Sequence, residues 1–261
     1  MRLPGSLLMA ACLATSLPAC GASRAPSSLA QHAAGAPPAK GISNVRLIVE
    51  PRDGVRPVVR DINLAQTKIF VAVYILTDRS VVHALDRAAA QGVDVYVLLE
   101  HHPFGMGSQP GAMAASLRAA GIHVRWSAEG FTYAHAKYLI LDDREALIGT
   151  ANLSASAFSH NREFVAVDVR TPDVRAVSNL FRSDWDRLPA VINDPELVAA
   201  PGQARAQIEG LAASARRTID IYAEEVADPG MERELISIAR RGVQIRVLLP
   251  PGAVSVGARW A

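Results

Sequence analysis

The sequence predicts a layered α/β fold: a mixed, largely parallel β-sheet flanked by helices on both faces, with an internal duplication whose second copy is incomplete. Three observations predict it. Segments of strand and helix character alternate from residue 44 onward, the pattern of layered α/β domains. Val93 to Leu99 is a near-continuous apolar run, of the type buried on both faces of a parallel sheet. Residues 197 to 249 align on residues 47 to 99 with a constant offset of 150 and no gap, so the chain repeats itself.

Taken in order, Asn44 to Glu50 reads as a strand, Val55 to Gln66 as a helix and Lys68 to Leu76 as a strand. Arg79 to Gln91 reads as a helix that Asp78 can cap, and Val93 to Leu99 is the buried strand. A Gly/Pro-rich loop from His101 to Gly111 leads to a helix over Ala112 to Ala120 and a strand over Ile122 to Trp126. Tyr138 to Leu141 and Ala146 to Ile148 form a hairpin around the turn Asp142-Asp143-Arg144. Phe164 to Val169 is a further strand. Pro172 to Trp185 is an amphipathic helix with Val174, Val177, Leu180, Phe181 and Trp185 at helical spacing. In the repeat, Leu47 matches Leu197, Ile69 matches Ile219, Gly92 matches Gly242, and Asp228-Pro229 makes a helix N-cap with a first-turn proline.

The chemistry gathers between Tyr133 and Val165. His135 and Lys137, two residues apart at the start of a strand, project to the same face, and an imidazole beside an ammonium suits phosphate chemistry. Gly149-Thr150-Ala151-Asn152-Leu153-Ser154 is small and hydrogen-bonding, so a backbone can approach an anion closely there while an Asn side chain donates to it. Glu163 opens the next strand, where a carboxylate can fix the tautomer of a histidine. Singly, Lys137 reads as a solvated strand charge, His135 as a satisfied polar residue and Asp142 as a turn residue. The combination outweighs those readings.

That combination resembles the signature of the phospholipase D superfamily, His-x-Lys-x(4)-Asp, met by His135, Lys137 and Asp142. The family's Gly-Ser/Thr-x-Asn element falls on Gly149, Thr150 and Asn152, and its downstream glutamate on Glu163. The resemblance implies the phospholipase D fold, no metal and no other cofactor, and a phosphodiesterase site. His135 is the implied nucleophile. Lys137 and Asn152, with Thr150 and Ser154 nearby, are the implied phosphate-binding groups, and Glu163 and Asp142 orient. His101-His102 and His160 read as cleft-lining loop residues and not as metal ligands, and Phe104 and Met106 as contacts for an acyl chain or as loop residues folded back onto the core.

Two-copy members of the family build one site from a histidine of each half, and the offset puts the partner of His135 near position 285, past Ala261. The duplication favours a truncated two-copy enzyme over a homodimer that pools one histidine from each chain. Three function classes follow: a phospholipid hydrolase or phosphatidyltransferase, which leads; a nuclease of the same superfamily; and a binding module without turnover. Nucleic acid is the less favoured partner, because the net charge is only +2 and no basic, aromatic-rich run is present.

At the N-terminus, Met1-Arg2 and the apolar stretch Leu7 to Leu17 read as a secretory signal over residues 1–20, too short to span a bilayer. Leu17-Pro18-Ala19-Cys20 resembles a bacterial lipobox, which implies lipidation at Cys20 and an exported, membrane-anchored lipoprotein of the bacterial cell envelope, with ordinary signal cleavage to a periplasmic or secreted protein as the alternative. The other of the two cysteines, Cys12, lies within the signal, so no disulfide is available to the mature domain. Residues 21–44, rich in Ala, Pro, Ser and Gly, read as a flexible linker. The domain division is then 45–190 for the first, signature-bearing copy and 191–261 for the partial second copy.

Overall fold

The computed structural model describes residues 45–192, 194 and 196–251. The signal, the linker and Cys20 lie outside the described residues. Residues 41–197 and 198–261 fall into two compact units.

The first unit runs β1 (Val45–Val49), α1 (Arg56–Leu64), β2 (Lys68–Val73), α2 (Arg79–Ala90), β3 (Asp94–Leu99), α3 (Gln109–Ala119), β4 (His123–Trp126), β5 (Lys137–Leu141), β6 (Glu145–Gly149), α4 (Ala155–Ser159), β7 (Phe164–Asp168) and α5 (Thr171–Asp186). Its seven strands form one sheet in the order β1-β7-β6-β5-β2-β3-β4. β2, β3 and β4 pair in parallel, and the pairs β2–β5, β5–β6, β6–β7 and β7–β1 are antiparallel. Five strands therefore point one way, and β5 and β7 run against them. Alternation along the central strands sends Ile69, Val71 and Val73 to one face and Phe70 and Ala72 to the other. On the first face they meet Val58 and Ile62 of α1, Val81 and Leu85 of α2, and Leu117 of α3. On the second face they meet Val174, Val177 and Phe181 of α5, with the Phe70 and Phe181 rings stacked at 4.4 Å. Both faces are covered, as the unbroken apolar runs required.

Local chemistry sets the element ends. Asp78 caps α2, accepting from the N–H groups of Ser80 and Val81. α3 starts three residues earlier than the sequence indicated, with Pro110 in its first turn, where its missing N–H costs nothing. The β5–β6 turn has Asp142 and Asp143 at φ 54° and 52°, the left-handed pair that matches the twist of a hairpin, and Arg144 N–H donates to the Leu141 carbonyl at 2.9 Å.

The second unit holds α6 (Ala204–Ala213), β8 (Thr218–Tyr222), α7 (Pro229–Arg240) and β9 (Gln244–Leu248). β8 and β9 pair in parallel with Ile219 opposite Ile245, as Ile69 is opposite Val95 in β2 and β3. Asp228 caps α7 through Met231 N–H, as Asp78 caps α2. Gly92 and Gly242 both follow their helices at positive φ. The repeat is thus a repeat of fold.

One buried charge gives the first unit a pH dependence. Asp173, in the first turn of α5, lies buried near Asp168. Burial first, and the neighbouring Asp168 carboxyl next, push its pKa up to about 6, while Arg170, 3.2 Å away, pulls the other way. A carboxyl raised in the folded state adds stability below its unfolded pKa, and that contribution is lost as pH climbs through the folded value. Between about pH 4 and 6 the unit should lose roughly 1–3 kcal/mol from this group. Asp173→Asn should flatten that profile, melting about 4 °C or more above the wild type at pH 7.5 and level with it near pH 4. Parallel melting curves for the two proteins across this range would rule the assignment out.

Candidate active site

Strand direction decides where the functional residues meet. β5 runs against β2 with Lys137 opposite Val73, so β5 begins where β2 ends. β6 ends beside the start of β7, Gly149 opposite Val165, and β1 ends there too, Val49 opposite Phe164. His135, Lys137, Thr150, Asn152 and Glu163 therefore share one end of the sheet. It is the carboxyl end of the parallel strands, where open α/β sheets take their ligands.

His135 is exposed, two residues before β5. Its ring stands edge-on to Tyr74 at 4.7 Å between centroids. Lys137 Nζ donates to the His135 carbonyl at 2.7 Å and lies 5.3 Å from the centre of the same Tyr74 ring. Tyr74, buried just past β2, is thus the floor on which imidazole and ammonium are set side by side. Sequence reading did not single it out; it sits within the strand read over Lys68 to Leu76.

The segment after β6 docks on the chain that follows β2. Leu153 N–H donates to Ile75 O, and Thr77 and Asp78 both donate to Leu153 O. Gly149, the last residue of β6, permits the close approach of the chain entering β7, because a Cβ there would lie 2.7 Å from the Phe164 carbonyl. Thr150 Oγ1 donates to Glu163 at 2.6 Å and accepts from Phe164 N–H at 3.0 Å. Glu163 also accepts from Asn161 Nδ2 at 3.3 Å. Asn152 Oδ1 is buried and has no hydrogen-bond partner among the described residues. Glu50, fully buried, donates its N–H to the Glu163 carbonyl at 2.9 Å. Burial raises the Glu50 pKa; the Gly54 N–H draws it partly back, and Asp53 and Glu163 add repulsion.

A second residue that sequence reading missed is Glu100, buried at the carboxyl end of β3. Its carboxylate accepts from His102 N–H at 2.9 Å, from Ser127 Oγ at 3.0 Å and from Ala134 N–H at 2.8 Å. It ties the loop after β3 to the loop after β4, next to His135. A carboxylate ending an apolar strand and followed by two histidines was the available signal.

Two expected site residues have structural uses. Asp142, grouped with the catalytic set from the signature, lies at the opposite end of β5. There it accepts from the N–H groups of Gln66, Thr67 and Lys68 and from the Thr67 hydroxyl. Burial opposes its charge, but these bonds prevail and hold its pKa below the ordinary carboxylate value. Its part is to fasten β5, since five strand residues, about 16 Å, separate it from the site. Ser154 caps α4 by accepting from Ala157 N–H, a structural use of the hydroxyl expected at phosphate. His160 Nδ1 is 2.6 Å from Ser159 Oγ, and the His101 ring packs on His102 and Trp126. Among the described residues no three His, Cys, Asp or Glu side chains are grouped to hold a metal.

A histidine–lysine pair at the start of an antiparallel strand, faced by a Gly-Thr-x-Asn turn and a glutamate, is the arrangement of the phospholipase D superfamily, and comparison with known proteins places the chain in it. Residues 58–185 match the family described as cardiolipin synthase, PLD-like domain. Cardiolipin synthase 1 of Bacillus anthracis is 29% identical over 124 residues, 46% of this chain and 24% of that protein. Mitochondrial cardiolipin hydrolase of Xenopus laevis is 28% identical over 130 residues, 49% of this chain and 60% of that protein. The match thus spans about a quarter of the synthase and less than two thirds of the hydrolase. In fold, the chain is similar to a solved phospholipase D family member, Nuc of Salmonella typhimurium, with a TM-score of 0.51 and 23% identity over 57% of this chain and 97% of that one.

Because Glu100 holds both loops beside His135, Glu100→Ala should release them. Two backbone donors lose a charged acceptor, which costs about 2–4 kcal/mol. Phosphodiester turnover should fall at least about tenfold through kcat, with Glu100→Gln recovering part of it. Equal kcat in wild type and Glu100→Ala would remove the positioning role.

Proposed function

We propose that this chain is a phospholipase D-type phosphodiesterase acting on phospholipid through a phosphohistidine at His135. The observation that carries the reading is the gathering of exposed His135 with Lys137, Thr150, Asn152 and Glu163 at one sheet end. In the first step a ring nitrogen of His135 forms a bond to phosphorus as the bond from phosphorus to the leaving alcohol's oxygen breaks. Lys137 and the Asn152 amide stabilise the non-bridging oxygens, and Glu163, held by Thr150, supports the imidazole. The leaving oxygen takes a proton from a second histidine, supplied by another copy of the motif. Water, or an acceptor alcohol, then attacks phosphorus and the bond to His135 breaks, which gives hydrolysis or phosphatidyl transfer. The names of the synthase and hydrolase relatives support a phospholipid substrate. The reading also takes the enzyme to be exported and held at the cell envelope through lipidated Cys20.

The test is trapping of the covalent intermediate. A phosphatidylglycerol labelled at its phosphorus, quenched in alkali during turnover, should leave an acid-labile labelled adduct on His135 while the head-group glycerol is released. His135→Asn should lose that adduct and slow turnover by at least about 10³-fold while melting as the wild type does, because the ring is exposed. Undiminished turnover in His135→Asn would end the assignment.

A further inference from the structure

The site is bordered by two loops, residues 101–108 after β3 and 127–134 after β4, that carry large apolar side chains outward. Phe104 is 80% exposed, Phe131 42% and Tyr133 37%. These loops are anchored underneath. Phe104 N–H donates to the hydroxyl of buried Tyr74 at 2.7 Å, so the backbone is pinned where the ring is most exposed. The Tyr133 ring meets the same Tyr74 ring edge-on at 6.0 Å, and Glu100 joins the two loops from below. Gly105, at φ 77°, turns the chain back directly after Phe104, a conformation that favours glycine. Exposed aromatics on a braced backbone, around a reactive histidine, mark a contact surface.

Charge decides what kind. Residues 101–111 and 127–136 contain no Lys or Arg, and Glu129 is their one exposed carboxylate. A groove for a polyanion is lined with cations that neutralise successive phosphates. Phe and Tyr without cations instead suit the boundary between head groups and acyl chains, where aromatic rings settle at head-group depth.

We propose that these two loops form a membrane-docking rim: Phe104, Phe131 and Tyr133 enter the interfacial layer of a phospholipid bilayer and hold His135 at the level of the phosphodiester. The proposal rests on the reading of the site as a phospholipid phosphodiesterase and adds how the enzyme reaches a substrate that does not leave its bilayer. The test uses the full chain and the variant F104W with vesicles of phosphatidylcholine and phosphatidylglycerol brominated at graded acyl depths. The added indole emission, taken as the difference from wild type, should shift to the blue on vesicles and be quenched most by the shallowest bromine. This readout is local to position 104, whatever else draws the chain to lipid. The double variant F104S/F131S should lose about tenfold or more in vesicle affinity while its turnover of soluble bis(p-nitrophenyl) phosphate stays unchanged. An indole that remains in water on protein-loaded vesicles overturns the rim, and so does unchanged vesicle affinity of the double variant. Equal loss on soluble ester and vesicles also overturns it, because the loops would then be serving the fold. Single-strand oligonucleotide binding that F104S abolishes overturns it in favour of a base-stacking surface. A quenched indole in a protein that cleaves no phosphodiester leaves the rim standing and removes the proposed activity instead.

Discussion

The antiparallel pairing of β5 on β2 is the constraint from which the site follows. Three parallel strands alone would offer a catalytic end only their trailing loops. By laying β5 against β2 the chain also brings the beginning of a strand to that end, and Lys137 arrives already fixed by the ladder opposite Val73. Parity does the rest. Leu139 and Leu141 pack on the face of α1 and α2 while Tyr138 and Ile140 pack under α5, so a slip by one residue would turn Lys137 away and send all four apolar side chains to the wrong packed face. Asp142 makes such a slip costly from the far end, because its carboxylate grips three successive N–H groups ahead of β2. The signature's histidine, lysine and aspartate are thus one mechanical unit, with chemistry at one end of a strand and its register lock at the other.

This division explains what the sequence revealed. His135, Lys137, Asn152 and Glu163 were legible because two-residue spacing on a strand and a Gly-Thr-x-Asn turn are local patterns. Asp142 was legible as a turn residue, and its positive φ and hairpin position agree, but its partners lie some 75 residues away and leave no local trace. Tyr74 and Glu100 were hidden for the same reason. An aromatic within an apolar run reads as core, and only the docking of the 133–137 segment against it makes it a floor. β2 read as continuing to Leu76 because the apolar run continues; in the fold its ladder stops at Val73, and Leu76 pairs with Leu153 instead. α4, at five residues, is too short to show a helical period.

The carboxylates of the site carry opposite demands. Phosphate needs a cationic surround, yet the proposed reading sets Glu163 to support the imidazole. Glu50 would add a second negative charge, but burial without a partner for its Oε1 biases it toward the neutral acid. Glu100, by contrast, accepts from three donors and holds backbone in place. Three carboxyls near one sheet end thus differ in use: Glu163 is held by Thr150 and Asn161, Glu50 is pushed toward neutrality and Glu100 is spent on loops.

The second copy separates what belongs to the scaffold from what belongs to the site. At the offset of 150, the helix cap, the turn glycine and the strand register are all kept. The residues that furnish the site end are not. Tyr74 is answered by Glu224 and Glu100 by Pro250, which can neither floor an imidazole nor accept from two loops. The sheet face has changed as well. Where Phe70 and Tyr96 meet edge-on beneath α5 at 5.5 Å, their counterparts Asp220 and Arg246 form an ion pair at 2.5 Å. An aromatic pair needs a dry cover, whereas an exposed ion pair tolerates water. The two copies therefore share the interactions that make a β-α-β unit fold and differ in those that make it a site, which is why the repeat is plain in the sequence while the chemistry is read from the first copy alone.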